Sequence, residues 1–149
     1  MNKSMEENTD KLFVRGIELR DNGKLVEAAE VFLNIIQGYP NDSKLAGTYT
    51  VLGGVYMDLE DYENSSLYLK TATELNPKSE LASLCLYLSY VKLDKSNQAI
   101  DELKRYLGVY PAKLYKDTLN ELLEDLKNGY ATSYKDTIFF FAKKNGVIV

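Results

Sequence analysis

The side chains that most often perform chemistry are scarce in this chain. Histidine is absent, which removes the commonest general base near neutral pH and the commonest metal ligand. The single cysteine, Cys85, permits neither an intramolecular disulfide nor a thiolate zinc site. Its neighbours Leu84 and Leu86 imply a buried, unreactive thiol. Gly53-Gly54 has no lysine at the spacing of a phosphate-binding loop, so close helix packing explains the pair better. Asp58, Glu60 and Asp61 lack the regular oxygen-ligand spacing of a cation loop and read as a solvated turn. The expectation is a chain without catalytic residues, metal site or cofactor, hence not an enzyme.

Charge and composition bound the remaining choices. A net charge of -4 offers nothing that attracts a phosphate backbone or an anionic bilayer. The basic pair Lys143-Lys144 reads as a helix C-terminus or a solvated face. The apolar run Ile138 to Ala142 is far too short to span a membrane, and the first residues lack the apolar stretch of a secretory signal. No nucleic-acid partner and no membrane insertion are expected, and the simplest location is cytoplasmic. At 149 residues and 45% hydrophobic, the chain can bury a single core without metal or disulfide.

What positions the side chains is a repeat. Pro40, Pro77 and Pro111 lie 37 and 34 residues apart, a period that marks repeat architectures. Eight residues before each proline stand Phe32, Leu69 and Leu103, and twelve before it Ala28, Ser65 and Ala99. Five before it stand Ile35, Ala72 and Tyr106; twenty-one before it, Leu19, Tyr56 and Tyr90; twenty-four before it, Gly16, Gly53 and Tyr87. This pattern resembles the tetratricopeptide repeat over residues 9 to 111, with departures at Arg15, Ser83 and Tyr87. The resemblance implies an all-α fold: an α-α superhelix, or solenoid, of three helix pairs with C-terminal capping helices.

Periodicity supports helices independently of the resemblance. Leu25, Ala28, Phe32 and Ile35 share one helix face, and Tyr62, Ser65, Leu69 and Ala72 share the matching one. Asp21 to Lys24 reads as the turn inside the first pair, and each proline ends a repeat. The expected organisation is a flexible segment 1–8, repeats at about 9–42, 46–79 and 80–113, a capping helix over 112–128 and a tail over 129–149. Tyr115, Leu119, Leu122 and Leu126 form the capping helix's apolar face. The tail predicts one further helix, N-capped by Ser133 and closed by Gly146, with a short strand as the alternative.

The resemblance also implies a concave face lined by the first helix of each pair. Its groove positions are Phe13, Ile17 and Arg20, then Thr50, Gly54 and Met57, then Leu81, Leu84, Leu88 and Val91. Relatives that grip acidic chaperone tails carry Lys, Asn and Arg at set groove positions, where this chain has Phe13, Ile17, Val51, Leu81 and Cys85. An apolar or amphipathic protein or peptide is therefore the expected ligand, and an adaptor or scaffold the expected role. The alternatives are a chaperone for a secreted or assembling client and a self-associating subunit, that is, a homo-oligomer.

The helix from Glu80 to Leu93 is apolar nearly all round, which calls for a cover on both sides. The tail segment Ile138 to Phe141 is the internal candidate. The expectation is that it caps the last repeat; the alternative is that it fills the groove until a partner displaces it. Tyr110, Tyr130 and Tyr134 fall outside the repeat core and are assigned to interface contacts.

Overall fold

In the computed structural model, which describes residues 2–148, the periodic segments fold as antiparallel hairpins: α1 (Lys3–Asp21) with α2 (Leu25–Gly38), α3 (Leu45–Asp58) with α4 (Tyr62–Leu75), and α5 (Glu80–Lys92) with α6 (Ser96–Leu107). A fourth hairpin, α7 (Tyr115–Lys127) and α8 (Lys135–Lys144), completes the chain, and no strand occurs among the described residues. Successive helices from α1 to α6 pack in chain order, and α3 also touches α5. That is the stacking of an α-α solenoid, in which each hairpin buries its apolar stripe against its neighbours. Two sequence expectations need correction. Residues 3–8 are helical rather than flexible, because the Asn2 side chain accepts the Met5 N–H at 2.9 Å and caps α1. Ser133 does not cap α8; it lies in a 3-10 turn, Thr132–Tyr134, that leads into the helix.

One backbone device closes the first helix of every hairpin. A residue with positive φ follows the C-cap: Gly23 (77°), Glu60 (59°), Asp94 (57°) and Gly129 (84°). The next N–H then reaches back to a carbonyl five residues earlier, as in Lys24 to Leu19 at 2.8 Å and Asp61 to Tyr56 at 2.9 Å. Lys95 to Tyr90 (2.9 Å) and Tyr130 to Asp125 (2.8 Å) repeat it. This is the Schellman closure, which satisfies carbonyls that a helix end otherwise leaves open.

Within a hairpin, packing sets residue size. A Cβ on Gly16 would stand 2.6 Å from the Phe32 ring, and one on Gly53 would stand 2.4 Å from Leu69 Cγ. The glycine and the large residue eight before the proline are therefore complementary halves of one contact. The third hairpin breaks the pattern because it meets a different neighbour. Tyr87 replaces the glycine and packs edge-on against Tyr115 of α7, centroids 6.0 Å apart. The small Ser83 leaves room for the Tyr115 hydroxyl, which lies 2.9 Å from its Oγ. Burial pushes Tyr87 up to about 12 and Tyr115 higher still, so both stay neutral.

The apolar core is not continuous. One cluster joins α1, α2 and α3 around Phe32, Ile35, Leu52 and Val55. A second joins α5 to α8 around Leu103, Leu107, Tyr115, Leu119 and Ile138. Between them α4 buries Ser65, Ser66 and Thr73 beside Leu69 and Ala72. The Ser65 hydroxyl donates to Ser89 Oγ of α5 at 2.8 Å, and Ser89 donates to the Cys85 carbonyl at 2.9 Å. The hydroxyls are thus satisfied without water, as buried polar groups must be.

Candidate functional site

The first helices α1, α3 and α5 carry the predicted groove residues at steps of three and four, so each set forms one stripe along its helix. The stripes differ in how far they are committed to the fold. Phe13 is half-buried, edge-on to Phe32 with centroids 5.5 Å apart, and Ile17 packs on the same core. Phe13 also lines a recess of about 380 Å³ shared with Thr9 of α1 and with Gly47 and Thr48 of α3. An ion pair between Lys44 and Asp10 stands at its rim. Arg20 is turned to a local partner: its guanidinium donates to the neighbouring Asp21 carboxylate at 3.0 Å.

The α3 stripe is low. Thr50 donates its hydroxyl to the Ala46 carbonyl at 2.8 Å and so is satisfied within its own helix. Met57 is half-buried. A Cβ at Gly47 or Gly54 would meet no atom within 4 Å. Unlike Gly16 and Gly53, these two glycines are not demanded by packing, although each weakens a helix by about 1 kcal/mol relative to alanine.

The α5 stripe is high and apolar. Leu84 is half-buried against the C-terminal core, whereas Leu81, Leu88 and Val91 are 53%, 36% and 43% exposed. Three large apolar side chains are thus exposed along one stripe of α5. Val91 also opens onto a smaller recess of about 230 Å³ with Leu122, Tyr130 and Tyr134. Cys85 is half-buried, and burial pushes its thiol up, away from the thiolate form that reacts.

The C-terminal tail caps the solenoid. Ile138, Phe141 and Ala142 are buried in the second cluster. The Ala112 N–H donates to Asn145 Oδ1 at 2.8 Å, and Lys144 Nζ donates to the Leu107 carbonyl at 3.2 Å. The groove residues of α5 remain open beside it. Two of the three tyrosines expected at an interface instead have partners within the fold: Tyr110 packs on Tyr106 with centroids 5.1 Å apart, and the Tyr134 hydroxyl donates to Asn97. Tyr130 is exposed.

Sequence reasoning missed a groove on the far end of the molecule. Leu123 and Leu126 of α7, Phe139 of α8, and Val147 and Ile148 line a recess of about 670 Å³ together with the polar Asn120, Glu124, Lys127, Thr132 and Lys135. The signal for it was the aromatic run Ile138 to Phe141, which the sequence assigns to capping or to the concave groove.

Among the described residues no helix is long and apolar enough to cross a membrane. Residues 46–79, which comprise α3 and α4 and the loops beside them, match the sequence model of the tetratricopeptide repeat. No curated protein matches the chain.

Proposed function

We propose that the chain, whose hairpins stack as a solenoid and whose residues 46–79 match the tetratricopeptide repeat, is a non-catalytic adaptor that binds an apolar or amphipathic peptide across α1, α3 and α5. The observation that carries this reading is the exposed stripe Leu81, Leu88 and Val91 on α5, together with the open Gly47 and Gly54 on α3. An amphipathic helix laid on such a surface anchors through side chains at i, i+3, i+4 and i+7. The bare α3 positions let the ligand approach closely, and the α5 side chains supply the apolar contact. Phe13 and Ile17 at one end and Leu84 at the other are held by the core, so they lose little freedom on binding. Arg20, Thr50 and Met57 form the lower edge of the same surface.

The test is selection from a displayed peptide library, with hits measured by fluorescence anisotropy. Enriched peptides are expected to carry apolar anchors at helical spacing, and Leu88→Asp is expected to weaken them at least about tenfold, the loss of a central anchor. Leu88 is exposed enough that the variant keeps its melting temperature. Selection of acidic tails without apolar anchors, or full binding by Leu88→Asp, would sink the reading.

A further inference from the structure

We propose that the recess between α1 and α3 takes one basic side chain, arginine or lysine, of the peptide that the adaptor reading lays on this surface; the inference rests on that reading. The hollow begins with a missing side chain. Thirty residues before the three prolines stand Asp10, Gly47 and Leu81. The same repeat position thus holds a carboxylate on α1, no side chain on α3 and an exposed leucine on α5. A Cβ on Gly47 would meet no atom within 4 Å. Nor do α1 and α3 pack on each other as α3 and α5 do. What remains between them is the cavity of about 380 Å³, with Phe13, Val14 and Ile35 as its apolar lining.

The occupant follows from the charges. Asp10, Asp42 and Lys44 line the cavity, two carboxylates against one ammonium. Asp42 is only 9% exposed. Its Oδ1 accepts the Lys44 N–H at 2.7 Å; its Oδ2 has no hydrogen-bond partner among the described residues and is not sealed from solvent. A carboxylate beside hydrocarbon and short of one partner is stabilised by a cation that brings its own donors. Lys44 does not fill that need, because its ammonium is turned to Asp10. That hydrogen bond, and then the charges of Asp10, Asp42 and Glu6, hold the Lys44 ammonium above its usual range. Three carboxylates therefore act on one ammonium, and the N-terminus of α3 offsets only about half a charge more. The recess stays negative. Arginine and lysine join an apolar stem to a charged head, so the stem matches Phe13, Val14 and Ile35 while the head meets Asp42 and Asp10. A wholly apolar side chain would cut Asp42 off from water without a partner, and an acidic one would face like charges.

Peptides selected on the full chain from a displayed library, measured by fluorescence anisotropy at low salt, test this. Beside their apolar anchors they should carry one arginine or lysine at a fixed spacing. Replacing that residue by methionine should weaken binding about tenfold. Gly47→Leu puts a side chain into the recess and keeps the melting temperature, since nothing stands where its Cβ goes. It should bind the basic and the methionine peptides alike, while Leu88→Asp still discriminates the apolar anchors. Lys44→Gln removes the competing ammonium and should tighten the basic peptide by about two- to fivefold, because its ion pair with Asp10 is exposed and little is lost with it. Selected peptides with apolar anchors and no basic residue overturn this proposal and leave the adaptor reading standing. No selected peptide, or peptides without apolar anchors, overturn both. Weaker binding by Lys44→Gln, or a methionine effect that persists in Gly47→Leu, overturns the proposal as well.

Discussion

Gly53 and Gly54 are adjacent in sequence, yet a methyl group would meet opposite surroundings at the two. At Gly53 it would stand 2.4 Å from the fully buried Leu69; at Gly54 it would meet nothing within 4 Å. Gly53→Ala is therefore expected to destabilise the chain by about 1–3 kcal/mol through overpacking. Gly54→Ala is expected to stabilise it by about 1 kcal/mol through helix propensity. Urea unfolding of the two variants measures both signs, and equal shifts would show that the contact with Leu69 is not rigid. The pairing of Gly16 with Phe32 and of Gly53 with Leu69 was legible in the sequence, because each pair sits at fixed distances before a proline. The meaning of Ser83 and Tyr87 was not. They are read correctly only once Tyr115, 32 residues beyond Ser83, is known to lie against them.

At the scale of elements, the joint between the third hairpin and α7 rests on a carboxylate from elsewhere in the chain. Glu80, the first residue of α5, accepts the N–H of Lys113 at 2.8 Å and of Tyr115 at 3.1 Å. It thus serves donors at the start of α7, a helix with no side-chain cap of its own. Glu80→Ala is expected to cost about 1–2 kcal/mol, the usual magnitude of a lost cap. Amide exchange should localise the loss, with protection falling in α7 and α8 and holding in α1 to α4. The helices themselves were readable from periodicity, and the first turn from Asn22-Gly23. The second turn was read only as a solvated stretch at Asp58 to Asp61 and the third was not read, since Glu60 and Asp94 occupy left-handed positions where sequence rules look for glycine or asparagine. The start of α8 was misread at Ser133 because local cap chemistry yielded to the 3-10 turn that brings Ile138 and Phe141 onto the core.

For the molecule as a whole, the buried tyrosines set an upper limit on pH. Tyr87 ionises near 10 in an unfolded chain and only at about 12 in the fold, because burial favours the neutral phenol. Above pH 10 the unfolded state binds fewer protons than the native one, so stability is full below that point and falls as pH rises toward 12. The contribution of Tyr87 is roughly 2–3 kcal/mol. Urea midpoints followed through this range should drop, and Tyr87→Phe should flatten part of the drop; an unchanged slope would mean the ring reaches solvent before it ionises. Solenoid stacking was legible from the proline period, whereas the groove between α7 and α8 was not, because it depends on which side of α8 the core takes. The hydroxyl seam between Ser65 and Ser89 also belongs to this scale. It crosses the solenoid midway, between α4 and α5, with Leu69, Ala72, Ala82 and Leu86 buried on the same two helices. A hydrogen bond fixes position more sharply than hydrocarbon contact does, since it weakens steeply with distance and angle. A slip of either helix along its axis would part the two hydroxyls, so the seam is a register mark between the second and third hairpins.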